Sequence, residues 1–503
     1  MINRRVAHPG DNDPMTDEPG IVVDGSALTT AEVEQAAGHR ASIAVDAAVW
    51  ERVRRAHEQA RAASRVRPVY GRTTGVGANR DVVIGAEDVV IEPGTSPHDL
   101  RLLLSHAAGV GDRLDARTTR AAILIRLNQL AAAGSGIHPR FPAALARALQ
   151  TDALPEVHIT GTIGTGDLTA LAEIALTLVG RRPWARGHVP PVVVGPGDAL
   201  AFLSSSAVSL ARAVLACEEL GRLLSASHVV AALSYCALGG SAEAFAAEVH
   251  ARRPHPGAVR AAAEMRRILW YEGDRGPGRR IQDPFGLRAF PQVQGAALDG
   301  VTQLRRVLEI EINAAAENPL IDADSGAVFH HGQFSTAYPA LSLDHVRAAV
   351  HHVAELSAAR LSDLVEPDLT GLPAFLASGP AGSSGVMILE YVAHDALGRL
   401  RHSAGPVTLG TAVISRGLED HASFSPHAAG SALVAAEAYR TMLACELVAA
   451  TRALRMAGAP PRGDVLAAAF AEVNGRLPDV RADHQLGDEI RTAERLLDDL
   501  AAV

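Results

Sequence analysis

Apolar residues along most of the chain recur every three or four positions, the period of an amphipathic helix. Val45, Val49 and Val53 fall on one such face, and residues 30–64 read as helical. The same period continues across 98–150, broken near Gly109-Val110-Gly111-Asp112 and near Gly134-Ser135-Gly136, which predicts two or three helices. More uniformly apolar helices are expected over about 198–250, 294–318, 339–365, 384–404 and 425–456. A Gly/Thr-rich turn spans 70–77, and 181–197 is a Pro/Gly-rich connection. No strand-rich block and no internal repeat stands out. Residues 1–24, with Asn3, Pro9, Gly10, Asp11 and Pro14, read as a disordered leader. The expected architecture is all-α, one helical unit over 25–503. An N-terminal part reaches about 200, a long central bundle about 456, and a helical cap covers 457–503.

Composition narrows the chemistry. A net charge of −9 without basic blocks leaves no footprint for nucleic acid. The 47 basic residues are all arginines, which excludes a lysine Schiff base and with it pyridoxal phosphate. Cys217, Cys236 and Cys445 are odd in number and widely spaced, as expected of reduced thiols in a cytoplasmic protein, and no metal is expected. The N-terminus has no apolar signal segment, and no run of about 18 uncharged apolar residues suggests a membrane span.

The densest chemical signal is Gly161-Thr162-Ile163-Gly164-Thr165-Gly166-Asp167-Leu168, running into the apolar helical segment 169–176. Three glycines in six residues permit positive φ and close backbone approach before Asp167 opens a helix. This loop resembles the catalytic loop of the histidine and aromatic amino acid ammonia-lyases, Gly-Ser/Thr-Val/Ile-x-Ala-Ser-Gly-Asp-Leu. In that family Ala-Ser-Gly cyclises into the electrophile methylideneimidazolone (MIO). Here Thr165-Gly166 stands where three residues are needed, and the serine is missing.

Further motifs extend the resemblance over roughly 25–500. Tyr70-Gly71-x-x-Thr74-Gly75-x-Gly77 is similar to the family's Tyr-Gly-x-Asn-Thr-Gly-Phe-Gly, whose tyrosine is the base or proton shuttle. A tyrosine, pKa ~10, takes a weakly acidic proton only where its phenolate is stabilised. Ser105-His106 resembles the segment that faces the substrate side chain in the histidine lyases. Gln282-Asp283-Pro284-Phe285-Gly286-Leu287-Arg288 resembles Gln-Asp-Pro-Tyr-Ser-Leu-Arg, whose arginine clamps the substrate carboxylate, a role suited to a planar guanidinium. Glu311-x-Asn313-x-x-x-Glu317-Asn318-Pro319-Leu320 matches a family segment read as helix-end structure. Phe334 keeps an apolar wall, Glu419 a second carboxylate, and Leu418 and Ser204 replace family Gln and Asn.

The resemblance implies an ammonia-lyase/fumarase-like helical superfamily fold and a homotetramer. Its site would use Tyr70 and Glu419 as acid and base. Ser105, His106, Ser204, Phe285, Arg288, Phe334 and Leu418 would face the substrate, beside a degenerate loop at Gly164, Thr165, Gly166 and Asp167. The substitutions cluster where the family activates the amine, whereas the acid-binding residues remain. The expectation is therefore an enzyme without MIO, performing elimination, addition or isomerisation on a small carboxylate derived from an amino acid. Two alternatives stay open: a genuine ammonia-lyase or aminomutase with an unusual MIO loop, and a non-catalytic binding or scaffold paralogue.

Overall fold

A computed structural model describes residues 20–85, 95–269, 278–480 and 482–503. Helices make up 61% of it. The helix Ala207–Leu238 runs through the centre, rich in Ala, Leu and Val and buried over most of its length. It ends at Gly239, whose φ of +63° is a left-handed stop that glycine adopts without steric cost. Around it pack Phe290–Ile312, Ala337–Val365 and Ser425–Ala457, and Ile388–Ala404 lies against the last two. The bundle closes over one extensive apolar core.

A buried ion pair ties three of these helices together. Arg360 Nε and Nη2 donate to Glu446 Oε1 (2.6 Å) and Oε2 (2.8 Å), with neither side chain exposed. Ser234 and Ser357 donate to the same carboxylate, at 2.7 and 2.5 Å. With its oxygens so served, the charge is tolerated in the interior; removing one partner would strand the other.

The pattern-based expectations hold for most helices: 98–150 contains Pro97–His106, Ala116–Ala131 and Arg140–Gln150, broken at the two expected glycine segments. Several boundaries differ. Val45 belongs to the strand Ile43–Val45, while Val49 and Val53 lie on the buried face of the helix Ala47–Val66. Asp46 caps that helix by accepting from the Ala48 amide, so the apolar period continues across a strand-to-helix junction. Within the expected leader, Ile21–Val23 forms a strand parallel to Ile43–Val45, with Ile21 and Val23 buried; residues 1–19 lie outside the described set. The expected 198–250 helix is divided into Asp198–Leu203, Ala207–Leu238 and short pieces after Gly239. The strands among the described residues form four two-stranded pairs. Asp198–Leu238 is apolar and long enough to cross a membrane, yet 94% of its apolar window is buried inside the bundle. At the C-terminus, Asp464–Arg476 and Gly487–Leu500 pack back onto the bundle.

Candidate active site

The site gathers residues from turns between helices and from helix ends. Tyr70 stands on the turn after the helix Ala47–Val66. Gly71 there has φ +69°, and a Cβ would lie 2.1 Å from Leu200 Cδ2, so glycine lets this turn press onto the helix Asp198–Leu203. Beneath it Arg72 is buried and donates to the Ser135 and Gly136 carbonyls at 3.0 and 2.8 Å. Ser415 Oγ accepts from the Ala78 amide at 2.9 Å, joining the tyrosine turn to the segment that carries Glu419.

Two cavities of about 360 and 390 Å³ share Tyr70, Asn318, Phe334 and Glu419. The first is otherwise mostly apolar, walled by Leu102, Leu168, Leu200 and Leu203, with His106, Thr165 and Ser204 as polar points. The second includes Arg80, His330, His331 and Leu418. Tyr70 Oη accepts a hydrogen bond from the Gly77 amide at 2.7 Å. Burial nevertheless holds the phenol above its ordinary pKa, Glu419 adds to that, and the Gly77 bond opposes it. Tyr70 therefore retains its proton at neutral pH. One oxygen of Glu419, Oε2, is buried without a hydrogen-bond partner among the described residues.

The structure thus brings together Tyr70, Glu419, His106, Ser204, Phe334, Leu418 and Thr165. His106 is oriented by its Nδ1 contact to the Leu102 carbonyl at 2.9 Å. Ser105 is exposed, donates to the same carbonyl and lines neither cavity. Phe285 and Arg288 also line neither cavity within one chain. They sit on the surface, the guanidinium 4.8 Å over the Phe285 ring and its Nε donating to the Asp283 carbonyl at 3.0 Å.

The Gly164–Asp167 loop is held from both sides. The Gly164 carbonyl accepts from Thr336 and Ser423 hydroxyls at 3.2 and 3.3 Å. Gly164 has φ +96°, and a Cβ would lie 2.1 Å from Ser423 Oγ. The Asp167 amide donates to the Ser205 carbonyl at 2.7 Å, while its carboxylate accepts from the Ser209 amide (2.6 Å) and hydroxyl (2.7 Å). Burial lifts the Asp167 carboxyl to about 6. Within 164–167 the one triple with a hydroxyl in the middle is Gly164-Thr165-Gly166.

Asn318, His330 and His331 are site residues that motif reading did not assign. Asn318 joins both cavities, donating its amide to Ser204 Oγ (2.9 Å) and accepting the His331 amide on Oδ1 (3.1 Å). It had been visible within Glu317-Asn318-Pro319-Leu320, where the motif suggested structure alone. Among the described residues, one group of three has metal-ligand spacing, His351, His352 and Glu355, and none of these lines either cavity.

Comparison with known proteins sets this geometry in context. The chain is 34% identical over 506 residues to a histidine ammonia-lyase of Anaeromyxobacter dehalogenans, covering 95% of this chain and 98% of that one. Its fold is similar to that of a tyrosine aminomutase of Streptomyces globisporus, with TM-score 0.88, 26% identity, and 96% and 97% of the two chains covered. Ergothionase of Treponema denticola superposes equally well, TM-score 0.88, at 24% identity and with 96% and 100% covered, a likeness of fold. The histidine ammonia-lyase relatives and the family match support a carbon–nitrogen lyase. More particularly, the model of the aromatic amino acid lyase family matches residues 28–475, and the chain belongs to that family.

Proposed function

We propose that this family member works without MIO, catalysing acid/base elimination, addition or isomerisation on a small carboxylate derived from an amino acid. The observation that carries the reading is the pairing of Tyr70 and Glu419 across both cavities beside a loop that lacks the electrophile's serine. Tyr70, held protonated by burial, acts as the acid. Glu419 acts as the base, its partnerless Oε2 receiving the substrate proton. Without a covalent step to activate an amine, the departing group must leave with a proton from Tyr70 as its main assistance.

In this reading Arg288 reaches the substrate carboxylate across a subunit boundary, which accounts for its place outside the cavities of its own chain. Exposed apolar residues on the bundle, including Tyr338, Leu341 and Tyr391, support a homotetramer in which the site is shared. The three unpaired thiols suit a reducing cytoplasm. A second reading, ammonia release from histidine, is favoured by the histidine ammonia-lyase relatives and by His106 in the cavity.

Mass spectrometry of the intact chain, with product analysis after incubation with L-histidine, L-phenylalanine and L-tyrosine, tests the proposal. An unmodified chain that releases no ammonia from these agrees with it. A chain lighter by two waters that releases ammonia favours the second reading.

A further inference from the structure

Behind the wall formed by Ser204 and Phe334 lies a small space of about 10 Å³. A volume of that order holds about one water-sized particle. Its polar lining does not satisfy itself. Glu317, 1% exposed, gives Oε1 to Arg126 at 2.8 Å, but its Oε2 is buried and has no hydrogen-bond partner among the described residues. Ser206, 5% exposed, sits at the N-cap of the helix Ala207–Leu238, yet its hydroxyl caps nothing and its Oγ is likewise buried without a partner. The Glu311 carboxylate, at the end of the helix Phe290–Ile312, lines the same space. It makes no hydrogen bond or ion pair among the described residues, and burial pushes it up to about 7.

Arg126 also donates Nε to the Phe202 carbonyl at 3.1 Å, Nη2 to the Ala201 carbonyl at 2.5 Å and Nη1 to Gln129 Oε1 at 3.4 Å. Two carboxylates therefore face one guanidinium, and two buried oxygens, Ser206 Oγ and Glu317 Oε2, have no partner among the described residues, while Glu311 is half-buried. A proton on Glu311 or on Glu317, both raised by burial, would balance the charge, and the test below separates that arrangement from a bound ion. A water would serve those oxygens but leave the charge. One cation does both. The excess is a single negative charge, and Arg126 lies beside the space, so a divalent ion would overcompensate. Magnesium, which keeps several of its waters, is also too large in its hydrated form for a space of this size.

We infer that this space binds one water-sized monovalent cation, potassium or ammonium, on Glu317 Oε2, the Glu311 carboxylate and Ser206 Oγ. Because Ser204 and Phe334 line both spaces, the ion braces the wall of the substrate cavity. The site stands independently of which reaction the enzyme performs.

The test is thermal unfolding of the full chain at constant ionic strength, replacing tetramethylammonium chloride stepwise by potassium, ammonium or sodium chloride. Potassium or ammonium should raise Tm saturably and above sodium, as a ligand bound by the folded state requires, and the more effective of the two identifies the ion. Glu311→Gln and Ser206→Ala should each abolish that rise. No saturable rise, a rise equal with sodium, or one that persists in both variants overturns the inference. Should either variant fail to fold, crystals of the unaltered protein soaked in thallium(I) acetate decide. An anomalous peak between Glu311, Glu317 and Ser206 supports the site, and its absence there overturns it.

Discussion

Replacing Asp167 by asparagine examines how the degenerate loop is held. The side chain is fully buried and accepts two hydrogen bonds from Ser209, at 2.6 and 2.7 Å. Burial is the largest influence and raises its pKa from 3.8 to about 6, with the Ser209 bonds opposing. A carboxyl with that difference holds its proton more tightly by ~3 kcal/mol in the folded chain than in the unfolded one. Since the folded value is the higher, this stabilisation is full below pH 3.8 and is lost as pH rises through about 6. The asparagine side chain of the variant keeps an oxygen for the Ser209 amide and a donor for its hydroxyl, and it does not titrate. Urea unfolding of both proteins at pH 4 and pH 8, at one protomer concentration, gives the comparison. The stability of the native protein relative to Asp167→Asn should fall by ~2–3 kcal/mol between the two. Asp198, Asp363 and Glu311, whose pKa values are also raised, cancel in that difference. A constant difference, or a native protein that gains on the variant at high pH, would mean that Ser209 holds the carboxylate ionised and that burial is not dominant.

Other perturbations reach neighbouring parts of the site. Gly164→Ala, forced to φ +96° and against Ser423 Oγ, should cost ~2–4 kcal/mol of stability, read by denaturant unfolding, and the added Ser423→Ala should recover part of it. Arg288→Lys keeps the charge and loses the fork, so carboxylate binding by calorimetry should weaken by ~1.5–3 kcal/mol; unchanged binding refutes the clamp. Tyr70→Phe should lower turnover by ~10²–10⁴-fold while the folded state survives, since besides the acid it removes one acceptor, that of the Gly77 amide. Serine inserted between Thr165 and Gly166 should give a chain two waters lighter than the mass of its own sequence, without restoring ammonia release from histidine, phenylalanine or tyrosine.

The helical bundle was legible because its signals are local. Apolar period, helix caps and breaking glycines all act within a few residues, and Gly239 and Gly458 stop the two long central helices where the pattern changes. Val45 misled because an apolar residue at helical spacing from Val49 says nothing of the Asp46 cap that separates them. Tyr70, Glu419 and Phe334 were legible as motif residues. Their company was not, since His330 and His331 come to Tyr70 through folding across some 260 positions. The acceptors left over at Glu317 and Ser206 are invisible in sequence for the same reason: a missing partner is a property of the packed interior. Arg288 is the reverse case, clear in its motif yet outside the cavity of its own chain.

The proposal that the chain works without MIO is tested most directly by the intact mass of the native full-length protein, measured before and after borohydride. The expected result is the mass of the unmodified sequence, with residues 161–168 recovered as an ordinary peptide and no near-ultraviolet difference band. A chain lighter by two waters, with the deficit mapped to Gly164-Thr165-Gly166 and a band that borohydride removes, would contradict it.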